Sequence, residues 1–214
     1  MLLWLAMLVF PWSVFDSKGN RLSSEDQQAL EDIRGIWYNG MAKAIQVNCF
    51  ADHGWVEYIL DKNGNPEDIK YLLEDMAQPD DQSAGAYDPD NNRVIFLDEM
   101  GYVAVYAFPT GEHVKEFPLH LRKTSGKENA DDNEKVIDDY NSTNIIFTGI
   151  KKAELGVLNT KERKVELYDI STGYLTRILK LPADALVATR LNFSYTNGMV
   201  FLFDQTSRVW IGYK

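Results

Sequence analysis

Short apolar runs alternate along most of the chain with polar corners that carry a glycine, and four of these corners can be laid over one another. Val14-Phe15 runs into Asp16-Ser17-Lys18-Gly19, Ile59-Leu60 into Asp61-Lys62-Asn63-Gly64, Tyr106-Ala107-Phe108 into Pro109-Thr110-Gly111, and Tyr168 into Asp169-Ile170-Ser171-Thr172-Gly173. Each predicts a strand, a tight turn whose glycine takes a positive φ, and a returning strand. The glycines recur at intervals of 45, 47 and 62 residues. The third and fourth units agree in length: Val94 to Gly111 spans as far as Gly156 to Gly173, which lays Val103-Ala104-Val105-Tyr106 over Val165-Glu166-Leu167-Tyr168. An unfinished copy follows, with Val200 to Asp204 over Val94 to Asp98 and Val209-Trp210-Ile211 over Val103-Ala104-Val105.

A repeat of this period is that of four-stranded propeller blades. The predicted fold class is therefore all-β: a β-propeller-like array of four-stranded antiparallel blades, about four to five of them, complete or not according to how the ends close. An antiparallel sandwich with evenly spaced hairpins is the alternative. The stretch from Ala86-Tyr87-Asp88-Pro89-Asp90-Asn91-Asn92-Arg93-Val94 through Thr110-Gly111-Glu112-His113-Val114-Lys115 resembles one blade of the bacterial β-propeller repeats, the group that includes the YVTN, PQQ-like, NHL and WD40-like types. Val165 through Gly173 resembles the matching strand and corner of the next blade. The resemblance covers two blades well and most of residues 45 to 214 loosely, without a Gly-His to Trp-Asp signature. It implies a fold, on which binding, scaffolding and catalysis are all found.

With 45% hydrophobic, 12% aromatic and 25% charged residues, the 214-residue chain can bury the core of one domain over 1–214. Its formal net charge of −10 argues against nucleic acid, whose phosphates need a basic face, and suits basic partners or plain solubility. Met1 to Phe10 is an apolar run ended by Pro11, too short to span a bilayer, and no transmembrane segment is expected elsewhere. Residues 1–13 lack a basic start and a small-x-small cleavage site, and read either as a signal segment, with export or an envelope location, or as a strand of the first blade. Compartment is left open by this choice. So is closure, because the last blade, ending in Trp210-Ile211-Gly212-Tyr213-Lys214, lacks its outermost strand. With the first ten residues removed, Asn20-Arg21-Leu22 could supply that strand; with them kept, they add to an incomplete first blade. Ser23 to Ile33 reads as a short helix, Ser24 and Gln27 spaced as a capping box and Leu30, Ile33 and Ile36 facing inward.

The longest interruption of the repeat is 123–143, whose composition is that of a solvated loop. Binding residues concentrate on loops held by rigid scaffolds, and here Asp131, Asp132, Glu134, Asp138 and Asp139 accompany a potential aromatic anchor, Tyr140. These are the candidate partner-binding residues. Counted from Asp88, the calcium-loop pattern finds Asp90, Asn92 and Glu99 in ligand positions, but Arg93 stands where the turn needs glycine, so a plain strand-to-strand turn explains the segment better. Cys49 is the only cysteine and excludes an intrachain disulfide. It falls in Ala44 to Ala51, whose alternation predicts a strand with one buried face and a packed thiol. No motif places His53, His113 or His120 as its base. Asn141-Ser142-Thr143 and Asn192-Phe193-Ser194 fit glycosylation sequons, relevant only in a eukaryotic secretory setting.

No catalytic set, metal site or cofactor is expected. The reading is a non-catalytic protein-binding or scaffolding propeller that presents loops to a protein partner. The alternative is a propeller enzyme of the calcium-dependent lactonase or quinoprotein kind, which would need converging carboxylates or a stacking tryptophan drawn from Trp4, Trp12, Trp37, Trp55 and Trp210. Core packing accounts for those tryptophans more simply.

Overall fold

The computed structural model describes residues 13–15, 21–24, 33–49, 54–63, 66–73, 84–98, 100–120, 144–187 and 193–214, and every regular element among them is a β-strand. The chain forms two compact units, Met1–Ala77 and Gln78–Lys214. In the first, β1 (Ser13–Phe15) and β2 (Arg21–Ser24) make a hairpin, and β3 (Ile33–Asn39), β4 (Ala44–Cys49), β5 (Trp55–Leu60) and β6 (Pro66–Leu73) make a four-stranded sheet in chain order. In the second, β7 (Ala86–Asp88), β8 (Arg93–Leu97), β9 (Tyr102–Ala107) and β10 (His113–Pro118) form one sheet. A second follows from β11 (Ile145–Phe147), β12 (Leu155–Asn159), β13 (Lys164–Tyr168) and β14 (Leu175–Lys180), and a three-stranded third from β15 (Phe193–Thr196), β16 (Met199–Asp204) and β17 (Val209–Tyr213).

Every sheet is an antiparallel meander whose strands pair in the order in which they leave the chain. A sandwich would instead gather its strands into two facing sheets with Greek-key crossings. Within the second unit, β11 lies beside both β7 and β15, so the first strands of three successive sheets are neighbours and the sheets meet face to face. This is the blade arrangement, and the fold is all-β and β-propeller-like.

The apolar pattern explains why these blades stack. Ile95 and Leu97 on β8 and Val103 and Val105 on β9 share one face, and they join Leu155, Val157 and Tyr168 of the following blade in one buried cluster. The opposite face of that blade offers Leu158, Val165 and Leu167 to Val200 and Leu202 on β16. Burying each such side chain contributes about 1.5–3 kcal/mol. In the first unit, Ile45, Val47, Val56, Tyr58 and Leu60 form a separate cluster against Ile36 and Ile69.

All four glycine corners predicted from the sequence join paired strands: β1 to β2, β5 to β6, β9 to β10 and β13 to β14. Gly111 and Gly173 take φ of 71° and 75°, as the corners require, while Gly19 and Gly64 lie outside the described residues. The repeat overlay is correct for β9 and β13 but slips for β8 and β12. Leu97 pairs with Val103, yet Val165 pairs with Leu158. The turn 159–164 is longer by one residue than 98–102, and in a strand of period two that slip lays Val94 over Gly156 on the opposite face. A like slip occurs at the end, where Leu202 pairs with Ile211 although Phe96 pairs with Ala104.

Two further expectations are corrected, and closure stays open. Ser23 and Ser24 belong to β2, paired with Val14 and Ser13, and Ile33 and Ile36 belong to β3, so no helix runs from Ser23 to Ile33; residues 25–32 lie outside the described residues. The β4 strand is buried on both faces, because Gln46 and Asn48 are covered as completely as Ile45 and Val47. The strand Arg21–Ser24 pairs with Ser13–Phe15, and β17 ends its sheet without a further strand among the described residues.

Candidate functional site

The candidate site is a frame of backbone that holds the 123–143 insertion. Its first post is the end of β10. Leu119 is buried and donates its N–H to the Gly101 carbonyl. His120 then donates its N–H to the Gly173 carbonyl at 2.9 Å and accepts from the Leu175 N–H at 2.8 Å, bridging in parallel to Tyr174 on the next blade. The two rings lie 5.0 Å apart. The second post is Asn144, fully buried, whose carbonyl accepts the Leu158 N–H at 3.0 Å just before Ile145 enters the ladder with Val157. The insertion thus leaves from one blade's outer strand, already bonded to its neighbour, and returns into that neighbour's first strand. Lys123 to Thr143, with Asp131, Asp132, Glu134, Asp138, Asp139 and Tyr140, lie outside the described residues.

The same junction is tied by a lysine. The Lys115 ammonium donates to the Ile170 carbonyl at 2.6 Å and sits 4.6 Å from the centre of the Phe117 ring. Burial, followed by the nearby Arg93 guanidinium, holds its pKa below the ordinary lysine value against the pull of Asp169 and Glu154. Gly173 fits beneath this contact. A Cβ there would stand 2.7 Å from the Pro118 carbonyl oxygen and 2.9 Å from the Phe117 ring.

The calcium-like run at Asp88 is the turn between β7 and β8. One Asp88 oxygen accepts the Asp90 and Asn91 N–H groups, and the other accepts Asn91 Nδ2 at 2.9 Å and Arg93 Nε at 2.6 Å. The carboxylate is fully buried and spent within its own hairpin, and Glu99 lies outside the described residues. Among the described residues no group of three or more His, Cys, Asp or Glu side chains is placed to hold a metal ion.

A recurring corner escaped the sequence reading. Asn39, Asp88, Asn159 and Asp204 each end a strand, accept N–H groups of the turn that follows, and open a turn whose last residue has a positive φ. Those residues are Lys43, Asn92, Arg163 and Arg208. The Asx residue caps the turn N–H groups that the ladder leaves unpaired. The signal was present as Asn or Asp spaced five residues from the start of the next strand, but lysine and arginine do not advertise a left-handed backbone.

Of the other candidates, those among the described residues pack against neighbouring rings or strands. Trp37 and Trp55 stack with ring centres 4.7 Å apart and planes at 15°, and Trp55 is buried. Trp210 packs obliquely on Phe203, and Trp4 and Trp12 lie outside the described residues. His113 meets Tyr106 edge-on. Burial, with help from Glu116, raises the Tyr106 pKa above the ordinary phenol value. Cys49 ends β4, and His53, Asn141 and Asn192 lie outside the described residues.

No protein-family model matches the chain, and no curated protein matches it. Among solved structures it is similar to the WD40 repeats of RRP9, at 12% identity over 87% of this chain and 52% of that one, with a TM-score of 0.41. It is similar to U3-55K at 12% identity over 87% and 53% of the two chains, with a TM-score of 0.40. For Hsv2 of Kluyvelomyces marxianus the identity is 10% over 98% and 78%, and the TM-score 0.48. The chain spans about half the length of the first two. Its assignment as propeller-like rests on its own strand order and blade stacking.

Proposed function

We propose that the protein is a non-catalytic protein-binding or scaffolding propeller that presents residues 123–143 to a protein partner. The observation that carries this reading is the pinning of both ends of that segment, at His120 and Asn144, to adjacent blades. A loop held at fixed posts loses less entropy on binding than one hung from a mobile stalk. Asp131, Asp132, Glu134, Asp138 and Asp139 give it an acidic character suited to a basic protein surface rather than to nucleic acid, and Tyr140 supplies an anchor.

Affinity capture with the intact chain tests the reading beside two variants. One lacks 123–143; the other replaces the five carboxylates by amides and Tyr140 by alanine. Retention of a protein by the intact chain and its loss from both variants supports the proposal. Equal retention by all three places the binding surface elsewhere.

A further inference from the structure

Register sets one row of side chains across the sheet of the first unit: Trp37 on β3 pairs with Gln46 on β4, Gln46 with Glu57 on β5, and Glu57 with Lys70 on β6. Paired residues share a face, and Asn48 and Trp55, two positions along β4 and β5, share it too. The opposite face carries the apolar cluster of Ile45, Val47, Val56 and Tyr58. The indoles explain why the polar row is covered. Trp37 and Trp55 come from the strands on either side of β4, and rings stacked 4.7 Å apart meet above the strand between them. Gln46 and Asn48 lie on that strand and are each 1% exposed.

Beneath the rings one acceptor is left over. Gln46 Nε2 donates to Glu57 Oε2 at 2.9 Å, whereas Gln46 Oε1 is buried and has no hydrogen-bond partner. Turning the amide over would set its oxygen against the Glu57 carboxylate, so the bond to Glu57 fixes which atom is orphaned. A buried acceptor without a donor is costly and calls for one. Glu57 is half-buried, and its carboxylate has acceptor sites beyond the one that Gln46 fills, so a donor that reaches the amide from this side passes a negative charge. Indole faces attract cations as well. A neutral donor would use the amide oxygen alone, while an ammonium on a thin alkyl stem uses the amide, the carboxylate and the ring together.

We propose that the row Trp37, Gln46 and Glu57 binds a primary alkylammonium group, the side chain of a lysine on a partner protein, with the ammonium between the Gln46 oxygen and the Glu57 carboxylate and the stem along the Trp37 ring. The site lies within one sheet of the first unit and is independent of 123–143, so each can fail without the other. Lys70, the exposed cation opposite Glu57, works against the incoming charge and tempers the affinity.

The probes are n-pentylammonium chloride and the amide of Nα-acetyl-lysine, titrated into the full chain at constant ionic strength, with n-pentanol as the uncharged match. Tryptophan fluorescence and the Gln46 side-chain amide resonance are the readouts. The expected result is a saturable shift of both with the two ammonium compounds, weaker by at least about tenfold with n-pentanol, because a hydrogen bond to a charged group is lost. Gln46→Met, which keeps the length of the side chain and removes the acceptor, should weaken the fluorescence response to the ammonium compounds by a like factor, and Lys70→Ala should strengthen it. Glu57→Gln, at a half-buried position, should weaken it too and decides the question if Gln46→Met does not fold. No saturable response, an equal response to n-pentanol, or unchanged affinity in Glu57→Gln would each overturn the proposal, the first being the result where a bound water alone satisfies the Gln46 oxygen.

Discussion

Asp169 illustrates how a side chain sets a corner. It accepts the Ser171 N–H at 2.8 Å as well as the Ser171 hydroxyl, while its carbonyl accepts the Gly173 N–H at 2.7 Å. Burial by itself would raise its pKa, but the bonds from Ser171, the charge of Lys152 and a bond from Thr172 outweigh it and hold the carboxyl below the usual carboxylate value. A lowered folded pKa contributes stability that is present above the unfolded value, about 3.9, and lost as pH falls through the folded one. Asp169→Asn should therefore cost about 1 kcal/mol at neutral pH and almost nothing at pH near 2, flattening the acid limb of stability against pH. Urea midpoints over that pH range check this, and parallel curves for the two proteins would contradict it. At this scale the glycine corner at Gly173 was legible, whereas the Asx caps, though present as Asp or Asn before each turn, were not read from the sequence. The positive φ of Lys43, Arg163 and Arg208 was not legible, because an extended strand on each side forces a conformation these residues do not prefer.

Between elements, the close approach of two blades decides what a corner tolerates. Gly173 and Gly198 have nearly the same φ, 75° and 74°, but a Cβ on Gly198 would meet nothing within 4 Å, whereas one on Gly173 would collide with Pro118 and Phe117. Gly198→Ala should cost about 1 kcal/mol, from backbone strain alone. Gly173→Ala should cost about 1–3 kcal/mol more, because the Pro118 carbonyl is backbone and cannot turn aside. Chemical denaturation of the pair separates strain from crowding, and equal losses would show that the blades can part. The sequence marked Gly173 as a turn residue but could not show the crowding around it, since the collision comes from a strand far away in the chain. The register slip at β12 has the same origin. Equal spacing predicted the hairpins, while a one-residue difference in turn length, invisible to an overlay of apolar runs, decided which face of Gly156 met which blade.

For the whole molecule, the blades are complete in their hydrogen bonding on either side of the insertion, at His120 and at Asn144. Replacing 123–143 by a short glycine-serine link should leave a single cooperative unfolding transition and shift stability by about 1 kcal/mol or less, since closure entropy varies slowly with loop length. Calorimetry tests this, and a broadened or split transition would show that the segment is part of the core. Asp131 to Tyr140 stand out by composition alone, which marks a polar stretch but not the surface it would meet. The blade class, the hairpins and the glycine corners were determined by the sequence itself, because period-two alternation and turn chemistry act over a few neighbouring residues. Tertiary structure alone decided that Glu166 would be buried beside Tyr168 and Lys164, that Gln46 and Asn48 would be covered, and that β17 would stand at an edge of its sheet. Those outcomes depend on which faces meet across long stretches of chain, and a polar residue on a strand carries no local sign of whether another sheet will close over it.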